Sequence, residues 1–155
     1  MTIQFRSATA ADAPKMNALL NAIIAKGGTT AHRTPYDTDR MLRDYITTPY
    51  AVSCIVAEDA EQVLGFQSLE QANPAYPLPV DWGVIATFVK IGMQGRGVGG
   101  GLFKVTRAAA EAAGLVAIDA TIRKENTGGL AYYGRLGFAE YASSDVTISK
   151  KYLLS

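Results

Sequence analysis

Cysteine, histidine and net charge are all scarce in this chain. Its 155 residues include one cysteine, Cys54, and one histidine, His32. A single cysteine excludes an internal disulfide and a cysteine-based metal cluster. A single histidine excludes a zinc site built from several histidines of this chain, so no metal is expected. Lys plus Arg number 15 against 14 Asp plus Glu, a formal charge of +1. Charge so balanced argues against binding nucleic acid or a membrane surface through basic residues. No apolar run approaches the roughly 18 residues of a membrane span. The opening Met1-Thr2-Ile3-Gln4-Phe5-Arg6 lacks a basic segment followed by an apolar run, so no signal peptide is expected. The expected compartment is the reducing cytoplasm. Repeats, low-complexity tracts and linkers are missing too, and 1–155 reads as a single domain.

What the chain does have is apolar residues, at 48%. A domain of about 150 residues buries roughly 68–70% of its unfolded surface, enough for a real core. Residues 2–6 alternate, with Ile3 and Phe5 on one face, and read as a first strand. Thr9 then opens a helix, with Asp12 as a variant of the capping box. Met16, Leu19, Leu20, Ile23 and Ile24 keep the helical period until Gly27 and Gly28 end it. After a polar loop over 29–37, Thr38 starts a shorter helix carrying Met41, Leu42, Tyr45 and Ile46, closed before Pro49. Two β-rich runs, 51–58 and 62–70, are joined by Asp59-Ala60-Glu61 as an antiparallel hairpin. Pro74, Pro77 and Pro79 mark 71–80 as a loop. Strand 82–90, helix 97–113 and strand 115–122 follow in succession, a crossover that predicts two parallel strands. Leu102, Val105, Ala109 and Ala112 form the stripe predicted to be that helix's buried face. A short helix over 128–136 stops at Gly137, and strands over 138–141 and 146–153 complete the chain. The order is mixed α and β around one sheet.

The most informative segment is Gln94-Gly95-Arg96-Gly97-Val98-Gly99-Gly100-Gly101, between a strand end and a helix start. Glycine lets the backbone approach a ligand closely. The helix behind it offers unpaired N–H groups and the positive end of its dipole, which suits phosphate or pyrophosphate. A Walker loop would end in Gly-Lys-Ser/Thr, and Leu102 follows here instead. A Rossmann fingerprint would follow the first strand and have an acid about 20 residues on; several elements precede this loop, and only Asp119 lies near that distance. An acyl-CoA loop, Gln/Arg-x-x-Gly-x-Gly/Ala, is met by Gln94, Gly97 and Gly99. A plain flexible turn of this composition would cost helix stability with no ligand in return.

A second motif accompanies the loop: Asn126, then Tyr132-Tyr133-Gly134-Arg135-Leu136-Gly137-Phe138. On both motifs and on the order of elements from residue 3 onward, the chain resembles the GNAT superfamily of acyl-CoA-dependent N-acetyltransferases. Arg6 to Asp12 and the strand–loop–helix segment are similar to its phosphinothricin acetyltransferase-like subgroup. The resemblance implies an α+β (mixed α/β) fold: one twisted, mostly antiparallel sheet of about seven strands with about four flanking helices. Its fourth and fifth strands are parallel and splayed. It also implies acetyl-CoA as cosubstrate, no metal, direct attack by an amine, and dimers as the usual assembly.

By the same resemblance, the cofactor arm lies against the main chain of Phe88, Val89 and Lys90, with Val89 N–H facing the oxyanion. The pyrophosphate sits on N–H groups of Gln94, Gly95, Arg96, Gly97, Val98 and Gly99, and Arg96 adds charge. Asn126 bonds the arm, and Tyr133 stands near the sulfur as proton donor or relay. Plainer roles stay open at each position: strand packing for Phe88 and Val89, a helix cap for Asn126, core packing with Leu130 and Leu136 for Tyr133. Tyr132 reads as structural, and Cys54 as an inert core thiol.

An amine is mostly protonated at neutral pH, so a base is wanted. The subgroup's glutamate on the fourth strand falls at Ile85, which cannot serve. Candidates are Glu70, Asp81 and His32, or a chain of water. Residues 27–37 and 71–80 are expected to wall the acceptor, with Arg33 able to pair with a carboxylate. The implied activity is acetyl transfer to a primary amine of a small, amino-acid-like molecule. The alternatives are a protein or peptide N-acetyltransferase, and a CoA-binding sensor without catalysis.

Overall fold

A computed structural model of the chain describes residues 2–154. Its strands are β1 (Gln4–Ser7), β2 (Ala51–Asp59), β3 (Gln62–Gln71), β4 (Trp82–Val89), β5 (Ala117–Arg123), β6 (Ala139–Ser143) and β7 (Thr147–Leu153). Its helices are α1 (Ala13–Lys26), α2 (Thr38–Met41), α3 (Val98–Ala112) and α4 (Thr127–Leu136). The strands form one sheet in the order β1-β2-β3-β4-β5-β7-β6. Every neighbouring pair is antiparallel except β4 and β5. The expected mixed fold is the one found.

Local chemistry explains most boundaries. The Asp12 carboxylate accepts from Thr9 N–H at 2.7 Å, so the cap forms where predicted. The turn behind it, Ala10–Asp12, is 3₁₀, and the α-helix proper starts at Ala13 with Pro14 in its first turn. Asp37 caps α2 by accepting from Arg40 N–H at 2.8 Å. That helix then widens into a π turn over Leu42–Ile46, closed by Thr47 N–H to the Leu42 carbonyl. Gly97 precedes α3 at φ 84°, and Gly137 ends α4 at φ 105°.

β3 lies inside the sheet and is covered on both faces. On the front face, under α1 and α2, Met16, Leu20, Tyr45, Phe66 and Phe88 pack together. On the back, under α3 and α4, one cluster joins Leu69, Ile85, Phe103, Ile118, Tyr133 and Phe138. A second back cluster joins Ile55, Leu64, Val98 and Leu102. Of the predicted stripe on α3, Leu102 is buried, Val105 and Ala109 are half-buried and Ala112 is exposed; the buried face is centred on Val98, Leu102, Phe103, Thr106 and Ala110. The bulky Phe103 ring draws the helix round, packing against Phe138 and Tyr152. No helix among the described residues is long and apolar enough to cross a membrane.

The feature that positions the site is where β4 and β5 stop pairing. They are joined only at Trp82↔Ala117, Gly83↔Ile118 and Val84↔Asp119. Beyond that point β4 stays with β3 out to Val89, while β5 stays with β7 out to Arg123. A gap opens between them. Lys90 N–H donates to the Leu64 carbonyl at 2.8 Å, so the even-numbered residues of β4 turn their main-chain groups toward β3. By alternation, the N–H and C=O groups of Thr87 and Val89 face the gap.

Candidate active site

The glycine-rich loop lies at the open end of the gap. Among the described residues, the N–H groups of 94–99 meet no acceptor. Gln94 to Gly97 are exposed, while Val98 is buried and anchors the start of α3. Gly95 and Gly97 hold φ of 80° and 84°, and a Cβ at either would meet open space. Gly99 and Gly101 are glycine for another reason. A Cβ on Gly99 would come 2.5 Å from the Tyr132 ring, and one on Gly101 would come 2.0 Å from the Phe5 ring. Ring packing thus accounts for part of the cluster that the sequence attributed to a ligand.

Further in, on the back face, a polar network crosses the apolar core. Tyr133 is buried, and its hydroxyl lies 2.8 Å from Thr87 Oγ1. Gln67 Nε2 donates to Thr87 Oγ1 at 2.9 Å and to the Tyr132 hydroxyl at 3.1 Å. Tyr132 in turn donates to the Gly99 carbonyl at 2.7 Å. Burial pushes the Tyr133 phenol well above its ordinary value, outweighing the Thr87 hydrogen bond. Burial likewise pushes Tyr132 up to about 12. Both rings hold their protons at neutral pH, which makes them donors.

The front face has its own cluster. His32 Nε2 lies 2.7 Å from the Tyr45 hydroxyl and 3.3 Å from that of Tyr36. Tyr36 donates to Asp44 at 3.0 Å. Burial, helped by the Arg40 charge, lowers the His32 pKa, so the ring is neutral. Its centroid is 6.2 Å from that of Phe88. Glu70, at the end of β3, accepts from the Tyr76 hydroxyl at 3.4 Å. Arg33 donates to the Thr30 carbonyl at 2.7 Å and comes within 3.9 Å of Glu125. The loop before α2 therefore reaches across to the far end of β5.

The remaining positions separate. Asp81 is exposed, just before β4, and six residues of strand set it about 20 Å from Thr87. Ile85 packs in the back core beside Leu69 and Phe103, away from the front cluster. Asn126 caps α4, its Oδ1 accepting from Gly129 N–H at 2.9 Å; among the described residues its Nδ2 has no partner. Cys54 is buried, its thiol pushed up to about 12 by that burial, and so is no nucleophile at neutral pH. No group of three or more metal-ligating side chains gathers among the described residues.

Sequence reasoning gave no functional role to Gln67, Thr87 and Asp119. Gln67 and Thr87 read as ordinary polar strand positions. Asp119 entered only through the rejected Rossmann spacing. The one usable signal was that Asp119 interrupts an otherwise apolar run, Leu115 to Ala120, in a strand expected at the centre of the sheet.

Fold and site together define an acyltransferase architecture: a parallel strand pair forced open, an amide-lined loop at the mouth and a buried phenol within. The profile of the acetyltransferase (GNAT) family matches residues 18–138. The chain belongs to that family. No curated protein sequence matches it. Among solved structures it is similar to the acetyltransferase yncA of Salmonella typhimurium with its cofactor acetyl-CoA, at TM-score 0.84 and 18% identity over 100% of this chain and 95% of that one. It is also similar to a phosphinothricin acetyltransferase of Sinorhizobium meliloti in complex with acetyl-CoA, at 0.83 and 21% over 99% and 89%. A ribosomal-protein-alanine N-acetyltransferase of Brucella melitensis gives 0.80 and 20% over 97% and 99%. At these identities the likeness carries the fold and not the acceptor.

Proposed function

We propose that this acetyltransferase moves an acetyl group from acetyl-CoA to the primary amine of a small molecule by direct attack. The observation that carries the reading is the gap between β4 and β5, with unbonded amides at 94–99 on its rim and the Tyr133 hydroxyl on Thr87, a residue of its β4 wall. These residues fit the cosubstrate: free N–H groups at a helix start for a diphosphate, and unpaired main-chain groups of Thr87 and Val89 for an amide-bearing arm. Asn126, at the start of α4 just after β5, has Nδ2 without a partner among the described residues and adds a donor on that side.

Acetyl-CoA supplies an activated thioester, and the protein needs no covalent intermediate. The inward N–H groups of Thr87 and Val89 are the donors available to an oxyanion. Tyr133 stabilises the departing sulfur by hydrogen bonding. A phenol raised above its usual value of about 10 gives up its proton to a thiolate of about 8.5 only at a cost of more than about 2 kcal/mol. It therefore holds that proton in a hydrogen bond to the sulfur and does not hand it over completely. Thr87 fixes the direction of the hydroxyl.

Thiol release from acetyl-CoA with ethylamine, ethanolamine, putrescine, alaninamide and an alanine-initiated peptide tests the reading. Turnover of the small amines above the peptide is the expected result. Turnover of the peptide alone favours a protein acceptor, and binding without turnover favours a sensor. Tyr133→Phe is expected to lower turnover about 100-fold with acetyl-CoA affinity unchanged; an unaltered rate removes Tyr133 from the chemistry.

A further inference from the structure

The ladder between β4 and β5 ends at Val84 and Asp119, so Asp119 stands where the gap begins. Its neighbours Ile118 and Ala120 lie in the back core. Alternation along the strand therefore turns the Asp119 side chain to the front, opposite Tyr133. It is only 4% exposed. Two hydroxyls hold it: Tyr141 donates to Oδ1 at 2.5 Å and Thr121 to Oδ2 at 3.0 Å. Among the described residues no cation forms an ion pair with it. Lys151, its partner on β7, sets its ammonium over the rings of Trp82 and Tyr141, at 5.9 and 5.5 Å. Buried carboxylates without a counter-charge are rare in folded chains, and this one sits beside the reaction gap.

We propose that Asp119 is the proton acceptor for the attacking amine, and that the acceptor is a cationic primary amine docking on the front of the sheet beside Val84. The inference rests on the acyl-transfer reading above. The ammonium supplies the charge that Asp119 lacks. Asp119 takes one proton from it, directly or through one water, and later releases that proton to solvent. The freed nitrogen lone pair forms the bond to the acetyl carbon. The carbon–sulfur bond breaks, and its electron pair leaves on sulfur within reach of the Tyr133 hydroxyl. The second nitrogen proton ends on that sulfur, giving an amide and a thiol.

Burial raises the Asp119 pKa despite its two hydrogen bonds, which makes it a stronger base than a free aspartate. Burial raises Tyr133 and Tyr76, and the Asp119 charge adds to both. The titratable groups facing it are Glu70 of β3 across Val84, Tyr76 of the following loop, Tyr141 of β6 and Lys151 of β7. His32 is the rival on the front face; its Nε2 is engaged with Tyr45, and its ring lies beside Phe88 and not at the end of the β4–β5 ladder.

Asp119→Asn and Tyr141→Phe are compared with the unaltered chain, using the fastest small amine of the panel and hydroxylamine. Hydroxylamine is already uncharged at neutral pH. Acetyl-CoA affinity is read by calorimetry. Asp119→Asn is expected to keep that affinity, lose at least about 100-fold in kcat/KM with the basic amine, and lose far less with hydroxylamine. Tyr141→Phe removes a bond that lowers Asp119, so the acidic limb of the kcat/KM profile moves to higher pH. Turnover by Asp119→Asn within about threefold of normal, or equal losses with both nucleophiles, overturns the role of Asp119 and leaves acyl transfer standing. No transfer to any amine by the unaltered chain overturns both.

Discussion

Gln67 is fully buried, spends both hydrogens of its amide on Thr87 and Tyr132, and leaves Oε1 without a partner. A buried orphan acceptor costs about 1–3 kcal/mol, so the amide is kept at some expense to stability. What it does is orient: it fills one acceptor site on Thr87 Oγ1, whose own hydrogen is then free for the Tyr133 oxygen. Thr87→Val removes that link. It is expected to lower turnover about tenfold while acetyl-CoA affinity holds, as steady-state kinetics beside calorimetry would show. Tyr133 was legible in the sequence because its motif has a fixed spacing before Gly137 and Phe138. Gln67 was not, because a polar residue in a strand reads as pointing to water, and nothing local says that β3 is covered on both faces.

At the scale of elements, the loop before α3 is held by what it cannot contain. Gly97 sits at a left-handed φ with open space where a side chain would go, whereas Gly99 is pressed against Tyr132. Gly97→Glu therefore meets no clash, and Gly97→Ala controls for the strain that any side chain brings at that φ. Gly97→Glu places a carboxylate among the free amides of 94–99, and acetyl-CoA affinity is expected to fall at least about 100-fold in calorimetry while the far-ultraviolet spectrum is retained. Gly99→Glu disturbs the ring packing as well, so a loss there says less about the ligand. Helix α3 and both parallel strands were legible, since glycine and apolar period mark them plainly. The buried stripe of α3 was right at Leu102 and missed Phe103, which outweighs the alanines in deciding which side turns inward. The π turn after α2 has no sequence signature, being set by where Tyr45 must sit beside Phe66 and Phe88.

Across the whole molecule, one arginine ties the outer strands to the first helix. Arg6 on β1 donates to both oxygens of Asp12, at 2.9 and 2.8 Å, and to both of Glu58 on β2, at 2.9 and 3.0 Å. The Arg6 hydrogen bonds lower the Asp12 pKa, burial opposing them. A folded-state pKa below the unfolded one stabilises the fold above an unfolded value of about 4, and the gain is lost as pH falls through the lower folded value. Arg6→Met leaves the buried Asp12 carboxylate unpaired and is expected to cost about 2 kcal/mol at neutral pH. Thermal melts from pH 7 to 3 should show the difference shrinking as Asp12 takes up its proton. The sheet order was legible at the β2–β3 hairpin and at the one crossover; that β7 comes between β5 and β6 has no local signal in the sequence.

The short seam between β4 and β5 also divides the sheet into two leaves, one of four strands and one of three, joined along three rungs. Because the rungs stop at Val84, the inward main-chain groups of Thr87 and Val89 have no partner on β5, so the crease itself carries the donors and acceptors that a longer ladder would have used up.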